Sequence, residues 1–229
     1  MRTVVPMRER GVSGWRSTVT VSLALTLAVA VSVLVTSCTP QGDPGIGPSG
    51  FSDNFDGDKL GDHWNNTGAG YEVREGMLHI KGARNKPLWL RRALPRDVTI
   101  EIDVRSESPE GDIKLELFGD GVSRAESDSY TATSYVVIFG GWNNSLNVLA
   151  RMNEHGEDRV VGPSYKVVPG RTYHLKVVRE GNKVTAWADD HELATMNDPD
   201  PLFGRGHDHF ALNNWQSDLW FDNLKITPR

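Results

Sequence analysis

Val98-Thr99-Ile100-Glu101-Ile102-Asp103-Val104-Arg105 alternates without a break between branched apolar and polar side chains. Neighbouring side chains of an extended chain point to opposite faces. This period of two therefore buries Val98, Ile100, Ile102 and Val104 and leaves the other row to water or a groove. The pattern recurs in Ile113, Leu115 and Leu117 against Asp112, Lys114 and Glu116, and in Tyr173, Leu175 and Val177 against His174 and Lys176. Further strands are predicted at 77–81, 88–92, 135–139, 147–152, 183–188 and 219–227. Between them lie turn formers: Glu75-Gly76, Pro109-Glu110-Gly111, Gly119-Asp120-Gly121, Pro169-Gly170 and Glu180-Gly181-Asn182. No stretch beyond residue 50 keeps a helical stripe for three turns, and no internal repeat is visible. Many short antiparallel strands predict an all-β, two-sheet jelly-roll sandwich of about a dozen strands.

The composition agrees. Of 229 residues, 38% are hydrophobic and 24% charged, with Gly 23 and Pro 12, which excludes collagen-like and wholly disordered chains. One Cys excludes an intrachain disulfide framework and a Cys-based zinc site. Residues 1–37 hold four Arg and one Glu, so the formal charge of −5 hides a body of −8. A body of that sign repels phosphate backbones, which argues against nucleic acid as a partner.

The first residues read as an address. Arg2, Arg8, Arg10 and Arg16 precede a charge-free run, Ser17 to Ser37, almost wholly apolar from Val19 to Val35. This is the layout of a signal helix. Val35-Thr36-Ser37-Cys38 resembles the bacterial lipobox. That resemblance implies cleavage after residue 37 and lipidation of Cys38, with several acyl chains (thioether-linked diacylglycerol and an N-acyl group such as palmitate) giving a firm membrane anchor. The alternative is an uncleaved signal anchor. Thr39 after the Cys favours the outer membrane if the host is Gram-negative. Residues 38–50, ending TPQGDPGIGPSG, read as a lipidated Gly/Pro-rich tether, and residues 51–229 as the folded domain.

Three patterns resemble the concanavalin A-like lectin/glucanase superfamily, in particular family-16 glycoside hydrolases and 3-keto-disaccharide hydrolase-like domains. Phe51-Ser52-Asp53-Asn54-Phe55-Asp56-Gly57, with Leu60 and Trp64, looks like their first strand. Tyr71 to Leu78 is similar to a hairpin that follows it, and Trp220-Phe221-Asp222-Asn223-Leu224-Lys225-Ile226 to the last strand. Arg171 to Leu193 is similar to a hairpin of laminin-G-like and keto-disaccharide members. The resemblance implies a jelly roll whose concave sheet cradles sugar. It also implies a possible structural calcium between first and last strands, at positions matching Asn54, the backbone of Gly76, and Asp222; no cofactor is required.

Family-16 catalysis uses Glu-x-Asp-x-Glu on one strand, and the matching stretch here is Asp112-Ile113-Lys114-Leu115-Glu116. Glu116 stands at the acid/base position, Asp112 replaces the nucleophile and Lys114 the middle Asp. A cation there is expected to lower both carboxyl pKa values, whereas a general acid needs a raised one. That predicts loss of family-16 hydrolysis. A second candidate, Glu101-Ile102-Asp103-Val104-Arg105, ends in Arg where the acid should stand. For both stretches the competing reading is a solvated strand face of mixed charge.

Two clusters hold side chains suited to sugars. Residues 139–159 offer the flat face of Trp142, the amides of Asn143 and Asn144, and the charges of Arg151, Glu154, His155, Asp158 and Arg159. Residues 204–215 repeat the style with Asn213, Asn214 and Trp215. There His207 and His209 have a spacing that could seat a metal with a third ligand such as Asp208 or Glu154, but a polar loop is the preferred reading. The plain counter-reading of the first cluster is a core Trp142 and a wet turn.

The expectation is a lipid-anchored protein of the bacterial cell envelope whose concave sheet binds an oligo- or polysaccharide. The alternatives are a hydrolase or lyase of glycosides or modified keto-disaccharides, using Glu116, Asp112, Glu154, His155 and His207, and a structural envelope protein that binds another protein.

Overall fold

The computed structural model describes residues 44–127 and 130–229. The signal helix, Cys38 and most of the tether lie outside the described residues. Fifteen strands run in chain order: β1 Phe51–Asp53, β2 Trp64–Asn66, β3 Glu72–Arg74, β4 Met77–Lys81, β5 Leu88–Leu90, β6 Val98–Ser106, β7 Ile113–Gly119, β8 Tyr135–Gly140, β9 Leu146–Arg151, β10 Val160–Val161, β11 Thr172–Glu180, β12 Lys183–Ala188, β13 His191–Asn197, β14 His209–Asn213 and β15 Asp218–Pro228. A four-residue turn labelled α1, Gly141–Asn144, joins β8 to β9. Among the described residues no helix is long and apolar enough to cross a membrane.

The strands form two antiparallel sheets. The first runs β13-β12-β11-β6-β15-β4-β3, with β1 beside the far half of β15. The second runs β10-β9-β8-β7-β14-β5-β2. Strand β6 behaves as its alternation demands: Val98, Ile100, Ile102 and Val104 are buried and the polar row is half-exposed. The inward rows of both sheets meet in one core that includes Leu78, Leu115, Tyr135, Phe139, Phe210 and Phe221. Each such side chain, fully buried, contributes on the order of 2 kcal/mol.

Three expectations are corrected. The outer row of β7 is not wet: Glu116 is 0% exposed beneath Tyr130 and Ser134 of the segment after β7, and Lys114 is 3% exposed among Asn85, Asp112 and Glu154. The tether does not stay free to residue 50. Pro44 and Ile46 exchange backbone hydrogen bonds with Ala93, and Ile46 packs on the core. The stretch 204–215 is not a polar loop throughout, since its second half is β14, an interior strand between β7 and β5.

Candidate functional site

The site lies on the outward face of the second sheet, near the start of β7. Gly111 enters that strand at φ 68, and a Cβ there would stand 2.6 Å from the carbonyl oxygen of Gly140, so glycine is required. Asp112 follows at φ 59, its amide donating to the same oxygen at 2.9 Å. These bonds place Asp112 and Lys114 beside the β8–β9 turn.

That turn is unusual. Trp142, Asn143 and Asn144 all have left-handed backbones, φ 50, 60 and 59. Asparagine tolerates this conformation, whereas tryptophan does so at a cost of about 1–2 kcal/mol. The turn is held from several sides. Asn144 donates to the carbonyls of Pro109 and Val167 and accepts from the Val167 amide, and the Ser145 hydroxyl donates to Trp142 O. The result presents Trp142, half-buried, at the edge of a cleft.

The cleft has a volume of about 360 Å³. Asp112, Lys114, Trp142, Glu154, His155 and Trp215 line it, with Asn143 among its remaining walls. Its polar centre is a cation between two carboxylates. Lys114 Nζ lies 2.8 Å from Glu154 Oε2, 3.9 Å from Asp112 Oδ1, and donates to Asn85 Oδ1 at 3.1 Å. The Lys114 side chain is 4% exposed. Asp112 Oδ2 accepts the Trp215 amide at 2.6 Å, tying the floor to the second indole. Arg159 lies over Trp142, 4.7 Å from the ring centroid, with His155 against its edge; Arg84 lies over Trp215 at 5.6 Å.

The electrostatics reverse one expectation. Burial pushes the Asp112 carboxyl up; Lys114 and the Trp215 amide pull it back only in part, and Glu154 adds to the rise. Burial likewise raises the Glu116 carboxyl, against hydrogen bonds from Ser134, Asn213 and Tyr130 and the field of Lys114. Desolvation outweighs the cation in both cases.

The other expected residues separate into groups. Glu116 and Asn213 lie under the cleft: Asn213 Nδ2 donates to Glu116 Oε1 at 2.8 Å and stands 3.4 Å from Asn85 Oδ1. Glu116 is thus removed from any ligand. Asn214 is a wholly buried brace between the Ala83 amide and the Ser217 carbonyl. Arg151 pairs with Asp198, whose carboxylate also accepts from Tyr135, and reaches toward Asp200. His207 Nδ1 meets the Thr133 carbonyl at 2.7 Å. Neither Arg151 nor His207 lines the cleft.

Among the described residues no group of three or more His, Cys, Asp or Glu side chains is placed to hold a metal, so His207, His209, Asp208 and Glu154 are not brought together as a ligand set. Of the calcium positions, Asn54 is exposed, Gly76 faces Asp56, and Asp222 is raised by burial and by the charges of Asp56, Asp103 and Asp53. Sequence reading missed Asn85, Glu110, Ile138, Gln216 and Ser217. Asn85 sits at φ 55 in an irregular segment, with no pattern to single it out.

Comparison with known proteins gives three kinds of match. A carbohydrate-binding module of family 66 from Bacillus subtilis superposes with a TM-score of 0.53 at 18% identity, covering 72% of this chain and 95% of the module. A Bacillus licheniformis beta-glucanase superposes at 0.55 with 9% identity, covering 83% of this chain and 100% of the enzyme. These likenesses show the concanavalin-like jelly roll. An extracellular exo-alpha-L-arabinofuranosidase of Streptomyces chartreusis is 25% identical over 152 residues, 66% of this chain. The chain spans only 17% of that relative's length. A family model for the 3-keto-alpha-glucoside-1,2-lyase-like domain matches residues 50–227, nearly the whole described body. The chain belongs to that family.

Proposed function

We propose that the cleft binds carbohydrate. The observation that carries this reading is the pair of half-exposed indoles, Trp142 and Trp215, set around a compact polar centre of Asp112, Lys114 and Glu154. A cleft with aromatic walls and a few convergent polar groups suits a sugar, whose rings have an apolar face and a hydroxyl rim. Arg159 already covers one face of Trp142, so a sugar meets the remaining edge of that ring or displaces the guanidinium. Trp142→Ala and Trp215→Ala are expected to abolish retention on a glycan array. Unchanged retention in both variants defeats the reading.

A second reading is favoured by Lys114. A buried ammonium clamped by two carboxylates is more than a binding module needs. On a 3-keto-glucoside the ketone acidifies the hydrogen at C2. A carboxylate, Asp112 or Glu154, takes that proton and Lys114 steadies the negative charge on the keto oxygen. The C1–O bond then breaks, giving an enone and, after protonation, a free alcohol. Burial raises the Asp112 carboxyl, which strengthens it as a base for this task. Appearance of enone absorbance with the wild-type protein, and its loss in Lys114→Met, is the expected outcome. Binding without turnover leaves the chain a binder.

The basic leader, the apolar run and Cys38 support attachment to the cell envelope through a lipidated Cys38. Labelled palmitate is expected to enter the wild-type protein and not Cys38→Ser.

A further inference from the structure

The cleft is much smaller than the sheet that bears it, because most of the sheet's outward face is covered. Strand register arranges that face in two adjacent rows across the strands. One row is Val148, Ile138, Lys114 and Asn213; the other is Ala150, Val136, Glu116, Ala211 and Trp89. Every member of the second row is buried, none more than 2% exposed.

The segment between β7 and β8 supplies the cover. The Ser123 carbonyl accepts from the Trp89 indole at 2.9 Å, and the Ala125 amide donates to the Asn85 carbonyl at 2.7 Å. The Tyr130 hydroxyl lies 3.0 Å from Glu116 Oε2, which also accepts from Ser134 at 2.6 Å. Ala132 packs with Val136 and Ala150 in a small apolar cluster of its own, which Tyr130 also joins. The first row is closed at both ends as well. Val148 is 1% exposed, in the cluster that Trp142 packs against, and Asn213 is 0% exposed beneath Asn85. Of these two rows, among the described residues, only Ile138 and Lys114 line the cleft, themselves close-packed at 1% and 3% exposed.

Neighbouring strands lie about 5 Å apart, so a cleft floor two strands wide spans about one sugar ring. A polysaccharide lying across the sheet needs an unbroken floor, and none remains. Resting on the carbohydrate reading above, we infer that the cleft receives the terminus of a saccharide chain and excludes internal segments. Asp112, Lys114 and Glu154 then address the hydroxyls of the terminal ring, and the rest of the chain projects into solvent.

The test is isothermal titration of the full wild-type chain with two length series, maltose to maltohexaose and arabinobiose to arabinohexaose. Each is used free, with the non-reducing terminal ring capped, and with the reducing end reduced to the alditol. The expected result is an affinity constant within about twofold along a series, lost on modification of one end. An affinity rising about tenfold with each added ring overturns the inference, because that reports consecutive internal subsites. Equal binding of free chains and of chains altered at either end overturns it too. Both of those outcomes leave carbohydrate binding intact. No binding in any form of either series, together with a blank glycan array, overturns the carbohydrate reading and this inference with it.

Discussion

Among the described residues Glu116 receives hydrogen bonds from the neutral donors Tyr130, Ser134 and Asn213, and Lys114 acts on it at longer range. Its carboxyl is raised by burial, so the folded state holds the proton more tightly than the unfolded chain. The stability it lends is full below the ordinary carboxylate range and is lost as pH rises through the raised value. Glu116→Gln is therefore expected to raise the urea midpoint at neutral pH, with no gain below about pH 4. A midpoint lowered equally at both pH values would mean that the carboxylate shape, not its charge, matters there. Trp142 permits a second separation. Trp142→Gly deletes the indole and relieves the left-handed backbone, so thermal stability should change by no more than about 1 kcal/mol while glycan retention disappears. Asp112, Trp142 and Glu154 were legible as candidates because charged and aromatic groups stood out in the sequence, and they line the cleft; Lys114 was legible only as the cation expected to undo family-16 chemistry. The sign of the carboxyl shifts was not, because one cation can be counted in a sequence while depth of burial cannot.

Hairpins set the register of both sheets. Between β3 and β4 the two-residue turn Glu75-Gly76 has φ 55 and 69, with Arg74 paired to Met77. Positive φ at both positions is the type I′ geometry that matches strand twist and prefers Asn-Gly. Glu75→Asn should stabilise the protein by about 0.5–1 kcal/mol, read as a higher melting temperature in calorimetry. At the far end of β11, Arg179 is wholly buried over Phe118 and donates to the carbonyls of Leu202 and Gly181. Arg179→Ala leaves a cavity and two carbonyls without that donor, and is expected to cost about 2–4 kcal/mol in urea unfolding. Long strands such as β6 and β11 were plain from alternation. Strand β14 was not: its five residues follow a Gly- and His-rich stretch, and its outward Asn213 satisfies a buried network that no local pattern announces.

At the scale of the whole molecule, the domain begins before its first strand. Ile46 packs on the core, and Ala93 bonds the backbone on either side of Gly45. Ile46→Asp should lower stability by about 1–2 kcal/mol in calorimetry, where a free tether would show no change. The two-sheet architecture was readable from the strands taken together; the closing of its outward face was not. Residues 120–134 contain few large apolar side chains, so nothing in their composition marks them as a cover. Strand β15 has a consequence for how the chain matures. It fills the slot between β6 and the pair β4 and β1, so the first sheet stays split until residues 218–228 arrive. A nascent chain that has been translated only as far as β14 has no central seam to close. Cooperative closure of that sheet waits until residues 218–228 have left the ribosome, so the earlier strands stay pliable while they are being made.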